Sequence, residues 1–319
     1  MDRVKTKPTN GKPAAGNQVN SAASVMKEHA AAGMDAETDM VLLDHVSFAY
    51  DGQHEDIRDV SLAIGRGEWV TLVGANGCGK STLIRLMNGL LRACGGCIAI
   101  GGIRLEAGTL GVIRQKVGMV FQNPDNQFIG ATVEEDMAFG LEGLCLSAEE
   151  IGSRISRYAV RLGIGGLLPR HPQELSGGQK QRAALAAILA MEPELIILDE
   201  ASSMLDEKAR SDMLELLREM HREERYTLLS ITHDAEEIAA SQRVLVMEGG
   251  RLAADVAPQE LFRSADLLRR CRMELPFRLQ LAQELEKRGV PPVPDKDSAG
   301  AAADPVTEVM RKWAFNWSM

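Results

Sequence analysis

The chain has 319 residues, 45% of them hydrophobic and 25% charged, the balance of a globular protein with a sizeable core, which excludes collagen-like, wholly disordered and disulfide-framework classes. Acidic residues outnumber basic ones by 45 to 36, a formal net charge of −9, so no global positive field exists to hold nucleic acid as a main partner. No run of about 18 apolar residues offers a membrane span, positions 1–20 lack the apolar stretch of a secretory signal, and five scattered cysteines fit reduced thiols, so a cytoplasmic chain is expected.

In chain order, residues 1–39 are rich in Lys, Asn, Gly, Ala and Pro without a period of either kind and read as a disordered leader. Positions 41–50 and 57–64 read as strands split by the turn-prone Asp51-Gly52, and 68–73 as a buried strand ending in Gly74. Apolar residues at helical spacing follow over 81–91, then short strands at 97–100 and 117–121. From 132 to about 163 the pattern turns helical, as a subdomain interrupting the sheet. An Ala/Leu-rich helix at 177–191, a strand at 195–198, an amphipathic helix at 208–224 and a strand at 227–231 imply a parallel sheet covered on both faces. A hairpin pairs 244–247 with 251–256 around Glu248-Gly249-Gly250, and the core domain ends near 265. One more amphipathic helix is expected over 275–289, then a Pro-rich linker. Val306, Val309, Met310, Trp313 and Trp317 line one face of a terminal helix that packs on its own domain or docks on a partner or membrane surface.

Gly74-Ala-Asn-Gly-Cys-Gly79-Lys80-Ser81-Thr82 satisfies G-x-x-x-x-G-K-[ST] between an expected strand and an expected helix, the context that a phosphate-binding loop needs. Glycines let backbone N–H groups converge on phosphate oxygens, and the helix N-terminus adds partial positive charge. Lys80 should then reach the β- and γ-phosphates, and the Ser81 hydroxyl should ligate Mg²⁺. Leu195-Ile-Ile-Leu-Asp199-Glu200 supplies a buried strand that delivers Asp199 to the metal and Glu200 to the attacking water as general base. Two carboxylates ending a strand otherwise simply face solvent; the upstream phosphate loop argues against that here. Ser176-Gly177-Gly178-Gln179 opens the Ala-rich helix as a second phosphate-type nest. One nucleotide cannot readily fill two nests of one compact fold, so this one is expected to close on a nucleotide held by another subunit. Cys94-Gly-Gly-Cys97 lacks a second pair at metal-finger spacing and is read as a strand turn, and Cys78 as a thiol open to alkylation.

These motifs in this order resemble the ATP-binding subunits of ATP-binding-cassette transporters, over about residues 40–290. The resemblance implies an α/β fold, a P-loop NTPase with a RecA-like core, an antiparallel β subdomain, an inserted helical subdomain over about 125–185, and a short C-terminal helical extension. It divides the chain into the leader 1–39, the ATP-binding domain 40–265, a dimerisation extension 266–290, and a linker with terminal helix 291–319. By the same resemblance Gly74, Asn76, Gly77, Cys78, Gly79, Lys80, Ser81 and Thr82 form the Walker A loop. Gln122 is the lid glutamine that senses Mg²⁺ and contacts the membrane partner, and Ser176, Gly177, Gly178 and Gln179 are the signature reaching across a dimer. Asp199 and Glu200 end the Walker B strand, Asp206 marks the D-loop, His233 is the switch histidine on the γ-phosphate, and Tyr50 stacks on adenine. On residues alone, His233 after a buried strand reads more readily as structural, and Tyr50 equally as an aromatic packed at a strand end.

Gln122-Asn-Pro-Asp-Asn-Gln127-Phe128, Leu198 to Asp206 and the segment 275–289 are similar to the energy-coupling factor transporter ATP-binding proteins, first ATPase type. That implies ATP and Mg²⁺ as cofactors and three partners: a second similar ATPase subunit, a transmembrane coupling protein and a small substrate-capturing membrane protein. The expected activity is ATP hydrolysis driving import of vitamins or transition-metal ions, from the cytoplasmic face of the cell membrane. Alternatives are the ATPase of a dedicated cobalt or nickel importer, a soluble cassette ATPase acting on chromosomes or ribosomes, and a nucleotide-binding regulator without turnover. Only 176 − 80 = 96 positions separate Lys80 from Ser176, room for one helical subdomain and not for a long coiled coil. The regulator would be expected to lack the base or the signature, and both are present.

Overall fold

The computed structural model describes residues 39–52, 54–275 and 279–281. Strands Asp39–Phe48 (β1) and Ile57–Gly65 (β2) pair antiparallel with Leu42 opposite Ala63, and β1 pairs on its other edge with Gly95–Ile100 (β4), which pairs with Ile103–Arg104 (β5). This four-stranded sheet lies in the order β2-β1-β4-β5. Its inward residues, among them Val41, Leu43, Val46 and Ile64, share one apolar cluster with Val70 and Leu72 of the second sheet.

The second sheet has six strands in the order β10-β9-β3-β8-β7-β6, all parallel except β10. Trp69–Gly74 (β3) and Thr227–Ile231 (β8) are buried at every position, and Leu195–Asp199 (β7) at all but its last. Continuous apolar runs of this kind are what a parallel sheet covered on both faces demands. Val117–Val120 (β6) forms the edge, and Arg243–Glu248 (β9) turns through Gly249 and Gly250, at φ +54° and +81°, into Arg251–Val256 (β10).

Helix Lys80–Met87 (α1) follows β3, and Leu110–Lys116 (α2) precedes β6. The helical stretch read as one segment is two helices, Val133–Glu142 (α3) and Ala148–Arg161 (α4), capped by the Thr132 and Ser147 hydroxyls. Both pack on Gly177–Ala190 (α5), whose buried Ala183, Ala186 and Ala187 let Met137, Leu141, Ile155 and Tyr158 approach closely. Glu207–Arg222 (α6), Ala235–Ala240 (α7), Pro258–Arg263 (α8) and Ala265–Cys271 (α9) complete the layers.

Three departures from the sequence reading have local causes. The helix expected over 81–91 ends at Met87, because Gly89 takes φ +69° where a Cβ would come within 2.2 Å of Leu110 Cδ1. Helices α2, α7, α8 and α9, six or seven residues each, are too short to show a period. Of the helix expected over 275–289, only 275 and 279–281 lie within the described residues; of the leader expected over 1–39 only Asp39 does, as the first residue of β1, and the terminal Trp-bearing helix lies outside them.

Candidate active site

The parallel register builds the site. Leu72 stands beside Ile231, Asp199 beside Ile231 and Val120 beside Leu198, so β3, β8, β7 and β6 end on one rim. That rim carries Gly74 at the end of β3, Asp199 at the end of β7 with Glu200 just past it, His233 after β8 and Gln122 after β6. Ligands of open α/β sheets bind at this carboxyl edge. Strands β3 and β7 flank β8, so the loop and the carboxylates are two interstrand spacings apart, roughly 10 Å.

The loop after β3 needs its glycines for space as well as for conformation. At Gly74, φ +151°, a Cβ would fall 2.3 Å from the Met247 carbonyl oxygen and 2.7 Å from Cys78 Sγ. At Gly79, φ +107°, it would fall 2.8 Å from Ile57 Cδ1; Gly77, at φ +78°, has open space and needs only the left-handed backbone. The Gly250 N–H donates to the Cys78 carbonyl at 3.0 Å, pinning the loop to the β9–β10 turn. Lys80 is buried, and its Nζ donates to the Gly74 and Ala75 carbonyls at 2.7 and 3.3 Å, holding a positive charge within the loop. Asn76, Gly77 and Ser81 face solvent around it. Tyr50 lies just past β1, 54% exposed, with its ring edge on Phe48 at 4.9 Å and its hydroxyl 3.5 Å from Thr82 Oγ1. Tyr50 thus packs at a strand end, as one of its two sequence readings has it, and borders the phosphate loop.

Glu200 adopts φ +50°, a left-handed conformation that costs a non-glycine residue about 1 kcal/mol or more. Its N–H donates to the Ile231 carbonyl at 2.9 Å, and Gln122 Nε2 donates to Glu200 Oε2 at 2.7 Å. His233 Nε2 lies 4.0 Å from Glu200 Oε1. Burial, with the Lys80 charge, pushes the His233 imidazole below its ordinary pKa against the opposing pull of Glu200, so the ring is neutral at pH 7. Burial and the neighbouring Glu200 charge push the Asp199 carboxyl upward, against Arg85 and Lys80. The structure therefore brings Lys80, Asp199, Glu200, Gln122 and His233 into one electrostatic neighbourhood.

Ser176 to Gln179 and Asp206 are not part of that neighbourhood. Ser176 caps α5, taking the Gln179 N–H on its Oγ at 3.4 Å while Gln179 Oε1 takes the Ser176 N–H at 3.0 Å. Gly178 faces α6, where an added Cβ would lie 2.9 Å from Ala209 Cβ. Asp206 caps α6 by accepting the Ala209 N–H at 2.8 Å. Ser176, Gly178, Gln179 and Asp206 border one surface cavity of about 350 Å³ that no residue of the phosphate loop lines.

The donor set suits the groups expected of it. The loop is a cradle closed to any side chain at Gly74 and Gly79, sized for backbone approach to phosphate. The Ser81 hydroxyl, the Gln122 amide and the Asp199 carboxylate are hard oxygen donors of the kind Mg²⁺ takes. Among the described residues no three His, Cys, Asp or Glu side chains cluster as a metal cage, and waters with phosphate oxygens are the further ligands that Mg²⁺ ordinarily takes beside one or two protein groups. One sequence expectation is corrected: Cys78 is buried and its thiol pushed up by burial, so it is not open to alkylation. Cys97 donates weakly to Asp44 at 3.8 Å beside the exposed Cys94, as a strand start. Sequence reasoning missed Met247 and Gly250, which brace the loop, because nothing local links a distant hairpin to it. It also missed Glu237, a buried carboxyl behind the switch loop.

Residues 57–203 match the family model described as ABC transporter. The energy-coupling factor transporter ATP-binding protein EcfA1 of Levilactobacillus brevis is 43% identical over 254 residues, 79% of this chain and 91% of that protein. The EcfA1 of Geobacillus kaustophilus is 45% identical over 250 residues, 78% and 90% respectively. Among solved structures, cbiO1 from Clostridium perfringens, part of the ABC transporter complex cbiONQ, superposes with TM-score 0.68 at 33% identity, covering 78% of this chain and all 100% of that one. The bacterial ABC cassette MJ0796, in a dimeric post-hydrolysis state bound to ADP and Pi, gives TM-score 0.62 at 27% identity, covering 69% and 99%.

Proposed function

The chain belongs to the energy-coupling factor transporter ATP-binding proteins of the ABC transporter family, and from that membership we propose how its residues divide the work. It is an ATP-hydrolysing subunit of an energy-coupling factor type importer, driving uptake through a membrane partner. Lys80 releases its loop carbonyls to take the β- and γ-phosphates of ATP, while the N–H groups of the loop hold the remaining phosphate oxygens. Tyr50 stacks on adenine. Ser81, Asp199 and Gln122 would hold Mg²⁺, which would supply positive charge against the phosphates. Glu200 takes a proton from the attacking water as its oxygen bonds the γ-phosphorus and the bond to the bridging oxygen breaks, leaving ADP and phosphate. Gln122, whose Nε2 donates to Glu200 Oε2, links the lid loop to the base, and His233 donates to the γ-phosphate.

The observation that carries this reading is the separation just described: a loop with its carboxylates on one rim, and the serine-glycine nest with Asp206 on another cavity. A second ATPase subunit, facing the first, brings its nest to the open side of the triphosphate and completes two pockets. A groove of about 250 Å³ beside the lid loop, between Ile129, which is 73% exposed, and Phe139, which is 58% exposed, suits a helix of the transmembrane coupling protein. No helix among the described residues is long and apolar enough to cross a membrane; the subunit acts from the cytoplasmic face. The cargo is a vitamin or transition-metal ion captured by a further membrane protein.

Glu200→Gln tests the assignment. ATP binding should persist, turnover should drop by about a hundredfold or more for the lost base, and a nucleotide-bound dimer should accumulate on gel filtration. Unchanged turnover removes Glu200 as the base.

A further inference from the structure

Helix α7 begins two residues after His233 and carries Glu237, whose surface is only 5% exposed. A carboxyl at that depth persists only when its oxygens are bonded. Ser202 Oγ donates to Glu237 Oε2 at 3.0 Å, and the Ser230 and Thr232 hydroxyls lie beside the same carboxyl and favour its charged form. Burial drives this carboxyl upward in pKa and the three hydroxyls oppose that shift, as does no other group around it; Asp234 adds to it.

Each hydroxyl stands on a segment that carries a different part of the site. Ser202 lies two residues past Glu200, at the start of the turn that ends in Asp206. Thr232 immediately precedes His233, and its Oγ1 accepts the Asp234 N–H at 3.0 Å. Ser230 lies in β8 and accepts Trp69 Nε1 at 3.1 Å, from the first residue of the strand that leads into the phosphate loop. Asp234 Oδ1 in turn caps α7 by taking the N–H groups of Glu236 and Glu237 at 2.9 and 3.0 Å, which fixes where the carboxyl can reach. The Glu200 N–H bond to the Ile231 carbonyl also joins the Glu200 segment to the His233 segment, as does Arg210, which donates to the Leu205 carbonyl at 3.2 Å and to Asp234 Oδ2 at 3.5 Å, but the buried side-chain link between them is the one through Glu237.

We propose that Glu237 is a positioning residue for hydrolysis: by holding Ser202 and Thr232 on one buried carboxyl, it sets the loop of Glu200 against the loop of His233. The proposal rests on the roles given above to Glu200 and His233. A buried polar junction that is fully bonded confers rigidity and a single geometry on the elements it joins, and displacement of a reacting group by about 1 Å can cost about a hundredfold in rate. Loss of the junction should therefore be felt in the chemical step, while the phosphate loop that binds ATP stays intact.

The experiment uses the full chain assembled with its companion subunits and follows steady-state ATP hydrolysis. Glu237→Gln, which keeps volume and one acceptor oxygen, should lower kcat by about tenfold or more with KM for ATP within about twofold of the parent. Ser202→Ala should lower kcat by less, and the Glu237→Gln, Ser202→Ala double variant should fall no further than Glu237→Gln alone, because both act through one junction. Should Glu237→Gln fail to fold, Ser202→Ala and Thr232→Val carry the same kcat-specific expectation. A variant set in which the melting temperature falls while kcat per folded molecule stays at the parental value overturns the positioning role. Glu200→Gln run in parallel separates the two readings. Lost turnover there beside normal turnover in Glu237→Gln overturns this proposal alone; normal turnover in Glu200→Gln overturns the assignment beneath it.

Discussion

The left-handed backbone of Glu200 and the buried Lys80 show how individual residues hold this site ready for a ligand: one side chain is turned off the strand line, the other is held by carbonyls of its own loop. Histidines show the reverse economy of charge. His221 sits half-buried with its ring edge toward Trp69 at 5.9 Å, its Nδ1 without a partner, and burial holds its pKa below 6.5 against the charge of Glu224 and a bond to the Gly67 carbonyl. The unfolded chain therefore takes up this proton first as pH falls, and the folded state loses stability below about pH 6.5. His221→Gln should consequently lose less stability than the parent between about pH 7.5 and about pH 5.5. Chemical denaturation at both pH values measures this, with His233 common to both proteins; equal pH slopes would contradict it. At this scale the phosphate loop was readable because its chemistry lies in nine consecutive positions, 74–82. Glu237 and His221 were not, because two adjacent acids on a six-residue helix, or a histidine near a helix end, acquire their meaning only from the sheet packed over them.

Among the elements, the alternation of helices with short apolar strands disclosed a parallel sheet, and chain order placed its functional ends. The strand order was not disclosed: β8 inserts between β3 and β7, which puts the His233 segment between loop and base, and only pairing across distant segments decides that. The junction of α4 with the sheet was equally hidden. Tyr158 of α4 is buried, bonds the Tyr226 hydroxyl at 3.5 Å and the Glu192 carboxylate at 3.3 Å, and Glu192 also pairs with Arg157 and Arg225 at 2.5 and 3.2 Å. These arginines hold Glu192 below the usual carboxylate range despite its partial burial. By contrast Lys180 meets Asp125 at 2.6 Å on the surface, where Asp125 is largely exposed. Tyr158→Ala should then cost about 3 kcal/mol or more while Lys180→Ala costs less than about 1 kcal/mol, as read from urea denaturation. Similar losses for both would refute this ranking of the two contacts. The lid loop is secured separately, by Gln127 Nε2 donating to the Ala184 carbonyl at 3.1 Å, which ties the segment after Gln122 to the helix that the signature opens.

The phosphate loop and carboxylates open on one rim of the molecule, and the capped serine-glycine nest opens with Asp206 on a separate cavity; the function proposed above makes each chain half of two sites, to be completed by a second. Sequence could supply the motifs for this and their order, and the separation of the two surfaces needed the fold. The most direct measurement of the central claim is ATP turnover by the full complex carrying Ser176→Arg in the nest. The account predicts that turnover collapses toward background, by about a hundredfold or more, while equilibrium ATP binding to the isolated full chain, which uses the other rim, is retained. Hydrolysis at the parental rate with an arginine at position 176 would contradict it.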